Sequence, residues 1–398
     1  MIKAFKYRLN PTKGQERLLN QTLTTCRFLY NNSLAERIDK YKEDKISIKY
    51  VDQANALSKN KNEWQVQVHS QVLQNTLKRL DKTFKRFFEG LKKKRKVGYP
   101  RFKPEQRYRS FCYPQSGFRL TDENRRISLS KIGDVKIKYS RPIQGCIKTC
   151  SVVKDVDQWF VVLTCDISVQ EPKQSQNPSI GIDVGIKSFA TLSNGSVIDN
   201  PRILLSSQNK LARAQIKLSQ KTKGSNNRVK QRTRVAKVHR KIKRQRDDFL
   251  HKVSTSLVTE YGHIVLEKLN ISGMLKNHKL AKHIADVSWS RFATMIEYKA
   301  ERAGVRFEQV DPKNTSQNCS GCGKKVSKTL AERTHCCPYC GLVMDRDENA
   351  AVNILNKSRV GTTRSYASGH CVRPVNSLKE QLVGCGGRKK NPPRLSWG

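Results

Sequence analysis

Two Cys-x-x-Cys-Gly knuckles, Cys319-Ser-Gly-Cys322-Gly and Cys337-Pro-Tyr-Cys340-Gly, stand fourteen residues apart near the end of a 398-residue chain. Each knuckle turns two thiols toward one point, and four thiolates close a tetrahedral structural Zn2+ site with no open position. The gap is one residue short of the roughly 15–20 usual for such ribbons. His335 and Cys336 stand beside the second knuckle, yet two symmetric pairs need neither. Bringing the four sulfurs together obliges residues of about 315–342 to form a small metal-clamped ribbon. The second knuckle then runs without a linker into Asp345-Arg-Asp347-Glu348-Asn-Ala-Ala, a dense patch of acids followed by a helix-forming run.

Those acids sit in a strongly basic chain, with 78 Lys and Arg against 33 Asp and Glu and a net charge of +45. Self-repulsion on that scale is tolerable when phosphates neutralise it, which makes a nucleic acid the expected partner. A membrane is the competing polyanion, but no apolar run approaches the ~18 residues of a membrane span. The N-terminus, MIKAFKYRLNP, alternates like a strand and lacks the pattern of a secretory signal. No membrane partner is expected, and the expected location is cytoplasmic and nucleoid-associated. The twelve cysteines then read as reduced thiols, four of them metal ligands.

Periodicity divides the chain. Residues 1–10 alternate as a strand, and Thr12 and Gln15 have capping-box spacing ahead of Leu19, Leu23, Cys26, Tyr30 and Leu34 at helical intervals. A second helix covers about 68–93, with Leu73, Leu77, Leu80 and Phe84 on one face and Lys and Arg on the other; Gly98-Tyr-Pro100 breaks it. Between 105 and 168 the period shortens to strands such as SFCY, RISL and QWFVVLTCDI, which suggests an antiparallel barrel or sandwich. After a polar linker at 171–178 the pattern becomes α/β. Strands are expected at Ser179–Val184, His263–Glu267 and Val305–Val310, with a helix over about 286–303. Between Lys210 and Arg246 there are fifteen Lys or Arg and no acid. The Gly-, Ser- and Pro-rich stretch 358–398 is expected to be a disordered basic tail.

Asp183 and Glu267 each end an apolar strand, where burial penalises an acid unless a site uses it. With the Asp-rich run they bring three acids to one edge of an α/β sheet. Three carboxylates can hold two Mg2+ ions about 4 Å apart, one to activate water and one to steady the leaving oxygen of a phosphodiester. Asp345 and Glu348 have capping-box spacing, which favours Asp347 as the third ligand.

GIDVGIKSFATL, HIVLEKLNISGM, NTSQNCSGCG and CPYCGLVMDRDENAAVNIL resemble the RuvC motifs and inserted zinc ribbon of TnpB, the RNA-guided nuclease of bacterial and archaeal insertion sequences and ancestor-type of the type V CRISPR effectors. FKYRLNPTKGQ and the segment Ser70 to Phe88 resemble its first strand and recognition helices. Cys336 departs from the pattern without disturbing the CxxC register. The resemblance implies an α+β multidomain fold. A β-barrel wedge domain would comprise 1–10 and 96–170, and a helical recognition domain 11–95. A RuvC-like RNase H domain would run over 179–357, with the zinc ribbon at about 315–342. It implies Asp183, Glu267 and Asp347 as catalytic Mg2+ ligands, and Cys319, Cys322, Cys337 and Cys340 as Zn2+ ligands. The activity implied is cleavage of complementary double-stranded DNA beside a short flanking motif, by a monomer carrying a guide RNA from the 3′ end of its own element. Single-stranded DNA is a further partner. The rival readings are a nuclease-dead RNA-guided repressor, a DDE-type transposase and a plain zinc-ribbon nucleic-acid-binding protein.

Overall fold

The computed structural model describes residues 1–121, 123, 125–168, 172–329 and 332–362. It resolves into two compact units, 1–170 and 171–398. The first begins with β1 (Ile2–Asn10), α1 (Lys13–Asp44), α2 (Tyr50–Lys59), α3 (Glu63–Val66) and α4 (Ser70–Lys92). The expected capping box starts α1: the Thr12 hydroxyl accepts from the Gln15 amide, and the Gln15 side chain accepts from Thr12 N–H. Six strands follow: β2 (Ser110–Tyr113), β3 (Phe118–Thr121), β4 (Arg126–Leu129), β5 (Gly133–Lys138), β6 (Cys146–Asp155) and β7 (Gln158–Asp166). With β1 they form one antiparallel sheet in the order β2-β6-β7-β1-β5-β4-β3.

The two end strands of that order, β2 and β3, are separated in the chain by residues 114–117 alone. Six strand spacings would span about 29 Å in a flat sheet, whereas such a link reaches at most ~17 Å. The sheet therefore rolls until its ends approach. At the seam, the Tyr113 and Phe118 rings are 6.5 Å apart and Ser130 N–H donates to the Gly117 carbonyl at 2.8 Å. Helices and sheet share one hydrophobic cluster, in which Leu19, Leu73, Leu77 and Leu80 meet Phe5, Tyr7 and Val161. Burying each such leucine stabilises by roughly 1.5–3 kcal/mol, which makes the apolar face of α4 the tie between helices and sheet.

The second unit carries β8 (Ser179–Val184), β9 (Ser188–Leu192), β10 (Val197–Asp199), α5 (Ile203–Ser219), α6 (Asn226–Glu260) and β11 (His263–Glu267). It continues through α7 (Ile271–Met274), α8 (Ala281–Val287), α9 (Trp289–Ala303), β12 (Arg306–Val310), β13 (Thr334–Cys336), β14 (Val343–Asp345) and α10 (Arg346–Thr362). Its main sheet runs β10-β9-β8-β11-β12; the first three strands are antiparallel, and β8, β11 and β12 are parallel. Ile180, Ile182, Ile264 and Leu266 face a core with α6 and α9, while Val265 packs with Ile354 and Leu355 of α10 on the other side. The fold is mixed α/β, as expected. The basic α5 buries no residue, and α6 becomes buried mainly in its second half, at Leu250, Val253 and Leu257. Among the described residues no helix is long and apolar enough to cross a membrane.

One expected boundary moves. Residues 358–362 belong to α10, not to a disordered tail, because Ser358 is buried and its hydroxyl donates to Glu308 at 2.9 Å. The rest of the expected tail, from 363 on, lies outside the described residues.

Candidate active site and metal centre

The four knuckle thiols converge. Cys319 and Cys340 sulfurs are 3.5 Å apart, Cys322 and Cys337 sulfurs 3.6 Å, and all four lie within 4.8 Å of one another. Zn–S bonds of ~2.3 Å place tetrahedral sulfurs about 3.8 Å apart, so the site has the dimensions and the soft donors that Zn2+ takes. His335 is buried and points its Nδ1 at the Lys328 ammonium, and Cys336 is exposed; neither joins the cluster.

The acids are brought together by sheet register. Parallel pairing sets Ile182 beside Leu266, so the next residues, Asp183 and Glu267, are neighbours on the same face. That face lies under α10. A Cβ on Gly181, two residues before Asp183, would stand 2.1 Å from the Ala351 carbonyl oxygen and 2.8 Å from Leu355. Only glycine lets the helix lie this close to the strand. The first turn of α10 carries Asp347, whose charge reaches Asp183. Burial pushes the Asp183 carboxyl well above the usual carboxylate range, and Glu267 and then Asp347 push it further; Arg346 and the Val184 N–H oppose them. Glu267 is raised by burial and held back by the Thr315 hydroxyl and Lys357.

The three acids of the run divide their work. The Asp345 carboxylate caps α10, accepting from the amides of Asp347 at 2.8 Å and Glu348 at 3.3 Å. Glu348 turns toward the β9–β10 turn, its carboxylate 3.2 Å from where a Cβ on Gly195 would stand. Asp347 takes two donors from Arg346, at 3.1 and 3.0 Å, and stands 3.7 Å from Arg333. Carboxylates offer hard oxygen donors of the kind Mg2+ takes, and a buried Asp183 raised further by Glu267 and Asp347 fits a site that gains by receiving a cation.

Sequence reasoning missed the residues that bind ribbon to helix. Asn349 and Asn353, one turn apart on α10 and buried, donate to the Asn318 carbonyl at 2.8 and 2.7 Å; Asn353 also donates to the Thr315 carbonyl, and Asn349 accepts from Ser320 N–H. Thr315 in turn donates to Glu267. The available signal was two asparagines on a helix face otherwise made of Ala350, Ala351, Ile354 and Leu355. Arg333, Arg346 and Thr315 gave none, because their partners are set by tertiary contact.

Comparison with known proteins adds an independent line. The OrfB_IS605 family model, described as "Probable transposase", matches residues 162–278. A helix-turn-helix domain model of the same family matches 1–45, where this chain has β1 and the single helix α1. The Cas12f1-like TNB domain matches 289–354. A Streptomyces pristinaespiralis protein, named as a candidate RNA-guided DNA endonuclease, is 36% identical over 100% of this chain and 98% of its own length. InsQ of Escherichia coli (strain K12), named in the same way, is 32% identical over 96% of this chain and 97% of its own. Among solved structures, the mini RNA-guided endonuclease CRISPR-Cas_phi3 covers 93% of this chain and 94% of its own, at a TM-score of 0.51 and 10% identity, a likeness of fold alone. With insertion-sequence family models on both units and a 36% identical relative matching from end to end, the chain belongs to the TnpB family.

Proposed function

We propose that this chain is an RNA-guided DNA endonuclease of an insertion sequence, in which Asp183, Glu267 and Asp347 are the catalytic carboxylates. The observation that carries the reading is the register pair Asp183 and Glu267 under α10, with Asp347 in that helix's first turn; burial, then Glu267, then Asp347 raise the Asp183 carboxyl. Two Mg2+ ions on these acids would supply an acidified water for attack on phosphorus and charge for the leaving oxygen. The chain's own residues do the rest. Thr315 orients Glu267, Asp345 fixes the start of α10, and Arg346 and Arg333 neutralise Asp347 until cation and phosphate arrive.

Strand order β10-β9-β8-β11-β12, with a four-cysteine ribbon between β12 and α10, supports a RuvC-like RNase H domain clamped by Zn2+ on Cys319, Cys322, Cys337 and Cys340. The rolled sheet of the first unit supports a barrel-like wedge over 1–10 and 96–170, beside recognition helices in 11–95. Such a unit would grip guide RNA and heteroduplex through shape and backbone charge, while base pairing reads the sequence. The guide would come from the 3′ end of the element, and the complex would act as a monomer.

The test is plasmid cleavage with matched and scrambled targets, by protein carrying its co-purified RNA and by protein stripped of it. Guided cleavage cuts the matched plasmid alone and needs the RNA. Equal cutting of both targets, or specific cutting after RNase treatment and repurification, would overturn the reading in favour of an autonomous nuclease or a transposase.

A further inference from the structure

In the first unit, α1, α4 and the segment leading into β2 line a solvent-open cavity of about 180 Å3, several times the ~30 Å3 share of one water in the liquid. Arg79, Lys103, Arg107 and Arg109 line it, and no carboxylate does. None of the four is ion-paired to an acid among the described residues. Arg79 donates to the Ser110 carbonyl at 2.6 Å and to its hydroxyl at 3.4 Å, and Arg109 donates its Nε to the Gln106 carbonyl; against the five donors of each guanidinium, neither set of partners is complete. Lys103 hangs over the Tyr30 ring, 5.8 Å from its centre.

The second observation is Tyr30 itself. It is 2% exposed, and its hydroxyl, on the cavity wall, meets no partner at hydrogen-bonding geometry; burial pushes it up and the nearby Thr83 hydroxyl only partly opposes that. Thr83 beside it donates to the Arg79 carbonyl at 2.8 Å, and the neighbouring Tyr108 hydroxyl is engaged with Thr76 at 3.3 Å. A buried, unpartnered hydroxyl is costly, and so are four cations gathered without a counterion. One anion with several acceptor oxygens relieves both.

We propose that this cavity seats a single phosphodiester group of a bound nucleic-acid strand. The Tyr30 hydroxyl donates to one non-bridging oxygen, and the arginine forks hold the group from the solvent side. The inference rests on the nucleic-acid-binding part of the function above and not on cleavage, so it stands or falls separately from the guided nuclease reading. RNA and DNA share this chemistry, and the probes separate them.

Tyr30→Phe and Arg107→Ala are compared with wild type for binding of poly(U) RNA and of mixed-sequence duplex DNA at several salt concentrations, alongside thermal melts. The expected result for Tyr30→Phe is roughly tenfold weaker binding to at least one probe, with melting at or above the wild-type temperature because an unsatisfied hydroxyl has gone. Arg107→Ala is expected to weaken the same probe and to reduce its salt slope by about one. Loss for RNA alone assigns the seat to a guide-like strand, and loss for DNA alone to the target. Wild-type affinity of Tyr30→Phe for both probes would mean that the cavity holds only water and would overturn the proposal. Melting below wild type would overturn it as well, since the hydroxyl would then be serving the fold.

Discussion

The second unit sets a four-thiol cluster beside three acids that strand register and α10 bring near one another, and the two are built on opposite plans. The four thiols come from two short knuckles and already stand at bonding separations, 3.5 and 3.6 Å for two of the pairs. The three carboxylates come from β8, β11 and α10, far apart in sequence, and each is held by protein groups: Thr315 on Glu267, Arg346 on Asp347, the Val184 N–H on Asp183. A closed soft-donor cage has one use, to fix a shape. An open set of hard donors held by exchangeable partners can bind, release and react. The ribbon serves the acids: its root is tied by Asn349 and Asn353 to the helix that presents Asp347.

If that contrast is right, the largest effect comes from breaking the cage. Cys337→Ser should lower stability by several kcal/mol, because a structural zinc site contributes its binding free energy to folding. Metal analysis should find less than one zinc per chain. Full zinc in this variant would reassign the ligand to Cys336 or His335.

Asp183→Ala should leave the fold and RNA binding intact while cleavage falls by at least ~10³-fold, about 4 kcal/mol at the barrier. Cutting at more than a few per cent of the wild-type rate would remove that acid from the chemistry.

Gly181→Ala tests the approach of α10. A methyl group 2.1 Å from the Ala351 carbonyl forces the helix off the strand, at an expected cost of about 1–3 kcal/mol. Cleavage should fall more steeply than stability, since the displaced element carries Asp347. Unchanged melting and activity would show that this contact does not position the acid.

The smallest effect is a gain. Folding raises the Asp183 and Glu267 carboxyls, so the folded metal-free protein holds their protons more tightly than the unfolded chain. The stability they contribute is present below the ordinary carboxylate range and is lost as pH rises through their folded values. Asp183→Asn should therefore be about 1 kcal/mol more stable than wild type at neutral pH without Mg2+, with a flatter decline from acid to neutral. Added Mg2+ should stabilise wild type more than the variant; equal shifts would mean that the cation binds elsewhere.

Strand limits were legible where both faces are buried: Ser179–Val184 and His263–Glu267 fall at the residues expected from their continuous apolar runs. Six of the seven strands of the first unit were visible, β1 from alternation and the others from short β-branched or aromatic runs, and α4 from its leucine spacing. The short helices α2 and α3 and the strand β3 were not, because they bury too few side chains to leave a period; Gln53, Leu57 and Gln65 are the buried residues of the two helices. The cage could be read from spacing alone, whereas the acid site could be nominated only residue by residue. What joins Asp183 to Glu267 is parallel register across more than eighty intervening residues, and the cap that occupies Asp345 is what leaves Asp347 as the acid proposed to join them.

The position of α10 also orders events in time. The first unit closes its core within residues 1–170, while the third acid belongs to the last described helix, roughly 180 residues later. At ribosomal speeds of ~5–20 residues per second, about ten to thirty-five seconds separate the two. On the proposed function, a nascent chain would acquire the unit that grips RNA well before it acquires the third acid. Ribosome-arrested chains stopped beyond Gln170 and beyond Thr362 would test this order: both should retain RNA, and only the second should cleave.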